Sequence, residues 1–594
     1  MSSTDPTAPL VCLIRPPGAE TFRIGTSTLV PPLGLAYIAA AVEGAGCDVV
    51  VLDALSAAPT THTKYFQGYL VGLPLEEIAA RIPEAAFAVG LTCMFTHEWP
   101  MLVRLIELIK RQRPDIPVVV GGEHVTAMPE FSLATSQADV LALGEGEETA
   151  AELFRALRSG ASIDAIDGIA HRRSGEIVVN RRRMRSTALE QIRRPAWHHI
   201  DLAAYHEHRF IGGVYSASLT VPMLATRGCP YQCTYCSSPN MWTTKWIPRD
   251  PKDVADEIES YVERYGAGNF PFYDLTAVIR KEWIVAFCRE IIDRGLQISW
   301  QMASGTRSEA IDAEVADLLR RSGMINMAYA PESGSDLTRR YIKKKVSRDK
   351  LFASIEAAAQ SQLSVAAYIV IGFPHDGRRE MRETVAFLRE IARRGVNDLG
   401  SGYYMALPGT ELFRTLYEQG KIVIDRAYFR HILNALSITP ATSYSEQMGR
   451  AELFYWKVRF VLAFYLSRLR VLGLRSTAAA AQQTVSTRSH SSKLQTALRV
   501  SFKNGLATLR IALAGARWMP LSDEKTFFAA WDGIYRDIIR QRRSSGVDTA
   551  PPLDARDLQA RNYVATLRTD HEASRHLTVP GVAAAPATTA LAGS

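Results

Sequence analysis

The sequence predicts an α/β protein: a doubly wound parallel sheet, then an incomplete βα barrel of six units, then a mostly helical end. Three observations lead there. Residues 10–158 alternate short Val/Ile/Leu-rich runs with helical stretches. Residues 222–425 do so a second time, with six apolar runs. Between the two series lies a basic segment, residues 159–221, which reads as a connector. Near-continuous aliphatic strands separated by helices mark parallel sheets covered on both faces.

The first series runs through the strands LVCLIRP (10–16), CDVVVLD (47–53), AFAVGLTCM (86–94), PVVVGGEH (117–124) and ADVLALGEGE (138–147). After the first of these, GLAYIAAAVEGAG (34–46) has helical composition and stops at glycine, a common helix stop. Doubly wound sheets bind ligands outside the carboxyl ends of their strands. Here those ends read Pro-Pro, Thr-Cys-Met, Gly-Gly-Glu-His and Gly-Glu-Gly-Glu. Glycine there lets a ligand approach the backbone closely.

The second series opens with MLATR and continues through NFPFYD (269–274), QISWQMAS (297–304), INMAYAPES (325–333), SVAAYIVIGFP (364–374) and GSGYYMALPGT (400–410). Helical stretches such as 251–265 and 309–322 separate them. Such a barrel carries its chemistry at the C-terminal face of its strands. Residues 426–545 read as helical. Residues 546–594, ending in an Ala/Thr/Pro/Gly-rich stretch, have the composition of a mostly disordered tail.

Composition narrows the function classes. Hydrophobic residues make up 47% and charged residues 22%, as in a globular protein. No apolar run approaches the ~18 residues of a membrane span. MSSTDPTAPL lacks the basic and apolar regions of a secretory signal, so the cytoplasm is the expected setting. The net charge of +8 is concentrated: residues 453–545 hold 16 Lys+Arg against 4 Asp+Glu. A charge confined to one region argues against a nucleic-acid partner.

Seven cysteines are too few and too uneven for a disulfide framework. Three of them crowd one loop directly after MLATR as Cys229, Cys233 and Cys236, with the spacing Cys-x3-Cys-x2-Cys. In a reducing compartment clustered thiols point to a metal or to catalysis. Tetrahedral zinc takes four protein ligands, or three and a water, and no fourth ligand stands nearby in sequence. An iron–sulfur cubane takes one thiolate per iron, and three thiolates leave one iron open. Spacing alone leaves both choices standing.

The cysteine motif, with Tyr235 before its last cysteine, resembles the cluster loop of radical SAM enzymes. The resemblance implies a [4Fe-4S] cluster on Cys229, Cys233 and Cys236. Its open iron would chelate S-adenosyl-L-methionine (SAM). One electron, from a donor such as flavodoxin or ferredoxin, would cleave the sulfonium to a 5′-deoxyadenosyl radical. Later strands continue the likeness. FYDLT supplies Asp274 near the SAM amino group, with Leu275 where relatives often carry a second acid. ASGTRSEAID supplies Ser304 and Arg307. YAPESGSDLTRRYIKK supplies Glu332, expected near the SAM ribose or carboxylate, and YIVIGFP (368–374) supplies Gly372 near adenine. ALPGTELF resembles the sixth-strand turn. The bland reading of Arg307 and Glu332 is a solvated or ion-paired charge.

The first series is similar to the flavodoxin-like cobalamin-binding domain of B12-dependent radical SAM proteins of the class B methylase kind. Thr92-Cys93-Met94 precedes Gly121-Gly122 by 26 residues, and small residues there would admit the corrinoid tail. Gly144, Glu145 and Gly146 open a helix whose amides suit a phosphate or amide oxygen. No Asp-x-His occurs in residues 1–150, so cobalamin is expected without the lower histidine ligand that many cobalamin proteins supply. His97 and His124 read as structural.

Residues 453–475, LFYWKVRFVLAFYLSRLRVLGLR, mix aromatic and aliphatic residues with Lys457, Arg459, Arg468, Arg470 and Arg475. That is the mixture of an interfacial helix, which implies peripheral membrane contact. The alternative is a helix packed on the barrel. LRVSFKNGLATLRIALAGARWM (498–519) repeats the pattern. The resemblance implies a C-methyltransferase acting on an unactivated carbon of a small-molecule or lipid-like substrate. One alternative is an oxidative cyclase or rearrangement enzyme, like the anaerobic cyclase of bacteriochlorophyll synthesis. Another is a non-catalytic corrinoid- or metal-binding sensor, against which the complete barrel series speaks.

Overall fold

The computed structural model describes residues 9–21, 29–210, 212–437, 439–486 and 524–545, with the backbone alone over 472–486 and 524–525. The segment 498–519 and the tail 546–594 lie outside the described residues.

In the first series the strands are β1 (Leu10–Arg15), β2 (Gly18–Glu20), β3 (Asp48–Asp53), β4 (His62–Tyr65), β5 (Gly68–Val71), β6 (Ala86–Thr92), β7 (Val118–Gly121) and β8 (Val140–Ala142). Strands β3, β1, β6, β7 and β8 lie side by side and parallel. Counting only these five in chain order, the sheet reads 2-1-3-4-5, the flavodoxin-like order. Its order reverses between β1 and β6, so the ligand crevice opens there. Strands β2, β5 and β4 form a small antiparallel sheet of their own. The connector then supplies β9 (Ile169–Arg173) and β10 (Glu176–Val179), an antiparallel hairpin that continues the first sheet past β8. The sheet therefore extends beyond residue 158.

The barrel strands are β11 (Leu219–Thr220), β12 (Thr226–Arg227), β13 (Ile247–Pro248), β14 (Ala267–Pro271), β15 (Ser299–Thr306), β16 (Met324–Glu332), β17 (Ser364–Ile371) and β18 (Asp398–Tyr403). β11, β14, β15, β16, β17 and β18 make a parallel six-stranded sheet in that order. This is the partial (β/α)6 barrel that the six apolar runs predict. Its first strand starts at Leu219, slightly before MLATR, and a bridge from Met223 to Phe272 prolongs it. β12 and β13 pair antiparallel at the base of the cysteine loop.

The helical end is bolted to both series. Trp531, of the helix Trp531–Ser544, packs edge-on against Phe131 of the first series and against Phe429. Tyr535 meets Phe131, Phe413 and Tyr417, and Arg542 pairs with Glu130 at 2.5 Å. Truncating a buried Trp or Phe of this kind costs about 3–5 kcal/mol.

The helix Arg450–Ser486 packs along the helix Arg378–Arg394 and on β18. That placement corrects part of the interfacial reading. Lys457 is not a lipid-facing cation. It is 7% exposed, donates to the Ser437 carbonyl over 2.7 Å and lies 4.2 Å from the Tyr403 ring. Burial pulls its pKa down to about 7. Tyr455, Val458, Leu462, Leu466 and Leu469 remain exposed on the same helix. No helix among the described residues is long and apolar enough to cross a membrane.

Lys457 gives a pH test. With the folded pKa near 7 and the ordinary value 10.5, the unfolded chain binds the extra proton between those values, so stability rises with pH through that window. The melting temperature of the wild type should climb relative to Lys457→Met from about pH 7 to about pH 10. Parallel curves would refute a neutral buried lysine.

Candidate functional site

The cysteine loop is built from its base upward. Asp274 is buried just past β14, and its carboxylate accepts the amides of Ala225, at 3.1 Å, and of Thr226. Burial lifts its pKa to about 6 against the pull of those bonds. Asp274 thus braces the backbone that enters the loop. β12 and β13 clamp the two arms. At the bend, Gly228 has φ +85, and a Cβ there would lie 2.2 Å from the Lys245 carbonyl. Only glycine fits that approach.

Inside the loop the Cys236 amide donates to the Cys233 carbonyl over 3.0 Å, and Thr234 bonds Ile342 and Leu412 through its backbone. The three loop cysteines are partly exposed free thiols, whereas Cys12, Cys47, Cys93 and Cys288 are buried in the cores. Burial raises the loop thiols, Cys236 to about 12, while Lys344 lowers all three. Lys344 donates to Glu332 over 3.0 Å. Burial acts against its charge, but Glu332 and Cys233 outweigh that and raise its pKa.

Around the loop stand the other barrel candidates. Glu332 ends β16 at φ +63, a left-handed conformation rare for a residue with a side chain. Such strain gathers at functional sites. Its carboxylate also bonds the Tyr235 phenol, whose ring meets Phe373 edge-on at 5.5 Å. Arg307 lies 4.0 Å from the Tyr231 ring centroid and donates to Glu309 and to the Lys345 carbonyl. Ser304 is exposed on β15. Gly372, at φ +89, gives its amide to Asp376, and a Cβ there would press on Leu453 of the long helix at 2.9 Å.

The strand ends of the first sheet face the same loop. Thr92 stands beside Gly121 in register. Met94 and Phe95 follow, 47% and 50% exposed, as an apolar lip. Gly122 has φ +122, and a Cβ there would sit 2.4 Å from the Cys93 carbonyl. Gly144 donates its amide to Thr126 over 3.0 Å, and Gly146 packs on Ile38. Glu145 is held in ion pairs with Arg185 at 3.3 Å and Arg227 at 3.5 Å. His124 is buried against Trp99, and burial lowers its pKa to about 3. It is a neutral core residue.

Sequence reading missed the stitches between the two series. Arg227 also pairs with Glu147 at 2.5 Å. Arg182 donates to the carbonyls of Asn240 and Met241, and Arg185 to those of Trp242 and Lys245. Asn240 donates to Glu123 over 3.0 Å and to the Pro408 carbonyl over 3.1 Å. Burial raises Glu123 to about 8 against its bonds from Asn240 and Ser237. The signal in sequence was the run of arginines in the connector, whose basic character has this use.

The residues present fit the expected groups. Three free thiols converge with a cation behind them. Thr234, Thr276 and Thr306 have buried hydroxyls without hydrogen-bond partners among the described residues, which suits a polar ligand at the strand ends. Glycines line the opposite wall. Among the described residues, the group whose ligand atoms lie within 4.8 Å of one another, the spacing for a single ion, is elsewhere: Glu43, His198 and His199. There both imidazoles already share one Glu43 oxygen, at 2.8 and 2.9 Å.

Residues 24–154 match the family model described as the B12 binding domain, and residues 223–388 match that of the radical SAM superfamily. The chain belongs to the B12-binding radical SAM enzymes. The two domains call for cobalamin on the doubly wound sheet and for a [4Fe-4S] cluster and SAM on the barrel. Among curated relatives of this B12-binding radical SAM enzyme is cytidylyl-2-hydroxyethylphosphonate methyltransferase of Streptomyces wedmorensis, 27% identical over 70% of this chain and 84% of the relative. Another is the anaerobic magnesium-protoporphyrin IX monomethyl ester cyclase of a Synechocystis species, 29% identical over 72% and 82%. In fold it resembles the radical S-adenosylmethionine methyltransferase TsrM of Kitasatospora setae, solved with cobalamin and a [4Fe-4S] cluster, with TM-score 0.54 and 19% identity over 70% of this chain and 78% of that one. It also resembles the cobalamin-dependent enzyme OxsB, with TM-score 0.56 and 13% identity over 97% and 82%.

Replacing Gly122 by Val should block uptake of hydroxocobalamin, read by visible absorption, while the iron content of the reconstituted protein stays at about four per chain. Replacing Cys229, Cys233 or Cys236 by Ala should remove that iron, and Cys288→Ala should keep it.

Proposed function

We propose that the protein is a cobalamin-dependent radical SAM C-methyltransferase acting on an unactivated carbon of a small-molecule or lipid-like substrate. The observation that carries the reading is the seating of the cysteine loop on the strand ends of the first sheet. Asn240 bonds Glu123, and the Met241 carbonyl lies 3.8 Å from where a Cβ of Gly144 would stand. A corrinoid over Gly121 and Gly122 and SAM beside the cysteines would then share one space. The bound groups supply hydrogen abstraction and a methyl donor; this chain binds, orients and shields them.

In this reading Cys229, Cys233 and Cys236 hold the cluster. Tyr235, Glu332, Arg307 and Ser304 flank SAM, and Gly372 lets the backbone turn close to it. Asp274 acts as a positioning residue through the amides of Ala225 and Thr226. Thr92, Met94, Gly121, Gly122, Gly144 and Gly146 line the corrinoid wall, and Glu145 anchors it. A donor such as flavodoxin or ferredoxin supplies the electron. Membrane contact keeps in its favour the exposed row from Tyr455 to Leu469, without Lys457.

Oxidative cyclisation is the second reading, supported by the cyclase relative at 29% identity. The experiment uses reconstituted protein, a chemical reductant, SAM labelled in its methyl group and extract from cells lacking the gene. Release of 5′-deoxyadenosine together with a labelled, methylated product is expected. An unlabelled product poorer in hydrogen would assign the cyclase reading. No 5′-deoxyadenosine under any condition would refute both and leave a sensor.

A further inference from the structure

Radical SAM chemistry consumes one electron for each reductive cleavage, and we infer that this electron enters through residues 338–350, which form a docking face for a small acidic electron-carrier protein. The inference rests on the reading of the cysteine loop as the seat of a cluster.

The segment holds seven Lys+Arg against one acid. It joins the helix Asp336–Tyr341 to the helix Arg348–Gln360, beyond the C-terminal end of β16. Its inner side belongs to the cysteine loop. The amide of Thr234, next to Cys233, donates to the Ile342 carbonyl over 3.1 Å. Arg307 holds the Lys345 carbonyl while its guanidinium lies on Tyr231. Lys344 reaches Glu332, and Lys343 pairs with Glu411 at 2.6 Å. From the backbone of this segment to the cysteine loop is one hydrogen bond.

Its outer side is different. Arg340, Lys345, Arg348 and Lys350 are exposed. Arg340 and Lys350 form no ion pair among the described residues. Beside them Arg340, Arg348 and Arg379 border a groove of about 620 Å³ that also takes in Leu337, Phe352 and Phe387. The acids of that groove are committed: Asp336 to Arg339, Glu383 to Arg379 and Glu390 to Arg394. An apolar floor inside a basic rim suits a small, short-lived complex. Electron-transfer encounters bury little surface and use complementary charge to speed and orient association.

Two other sides of the cysteine loop are engaged in this reading. On one side the connector holds the loop through Arg182 and Arg185, and Glu147 of the first series pairs with Arg227. The strand ends face the other, where SAM and substrate belong in this reading. The carrier is oxidised by one electron. That electron breaks the C5′–S bond of SAM, giving methionine and the 5′-deoxyadenosyl fragment.

The test is titration of the full-length reconstituted protein, without SAM, with an oxidised bacterial flavodoxin by calorimetry at low ionic strength. Binding should weaken as salt rises. The triple variant Arg340→Glu, Lys345→Glu, Lys350→Glu should bind at least about tenfold more weakly. The charge-keeping triple Arg340→Lys, Lys345→Arg, Lys350→Arg should bind like the wild type. With dithionite as reductant, all three proteins should release 5′-deoxyadenosine equally, which also shows that they fold. Equal flavodoxin binding by wild type and the Glu triple would overturn the docking face and leave the proposed function intact. Failure of the wild type with dithionite would overturn the proposed function, and the binding comparison would still decide the face.

Discussion

Arg227 is the buried charge on which the assembly turns. It sits on β12, two residues before Cys229, almost without solvent contact. Its guanidinium reaches across to Glu145 and Glu147 at the opening of the helix Glu147–Ser159, and lies against Tyr37 and Trp242. Removing one member of a buried pair costs about 3–5 kcal/mol, because the survivor keeps its desolvation penalty without compensation. Here the survivor would be Glu147, while Glu145 would keep Arg185. The same contact fixes the loop's position and the meeting of two cofactor walls, so stability and site geometry are one property.

The legible part of this protein was the part written in local pattern. Parallel strands announced themselves as aliphatic runs, and the cysteine spacing carried its chemistry within eight residues. Glycines at the strand ends were visible because positive φ or close approach excludes side chains, as at Gly122 and Gly228. The family models cover the same two stretches.

What was not legible depends on partners far away in the chain. Glu145 looks like an anion at a helix start, but Arg185 and Arg227 engage it. Asp274 accepts backbone amides 49 and 48 residues earlier in the chain, a partnership that no local pattern announces. Lys457 looked like a membrane cation because composition cannot say which face of a helix turns inward, and this lysine turns inward against Tyr403. The connector reads as basic with short strands, but the pairing of β9 with β8, which makes its hairpin part of the first sheet, depends on partners outside the segment.

The helix Trp531–Ser544, the last among the described residues, bears on how the protein is made. Its Trp531 and Tyr535 complete a core that begins early in the chain, at Phe131, and Phe528 of the preceding helix Glu524–Ala529 meets Phe66. A chain grows at about 5–20 residues per second, so the roughly 400 residues between Phe131 and Trp531 take on the order of 20–80 seconds to emerge. During that interval the first sheet waits with part of its apolar flank uncovered. Contacts so distant in sequence slow folding and expose the nascent chain to association with its neighbours on the ribosome or to capture by chaperones.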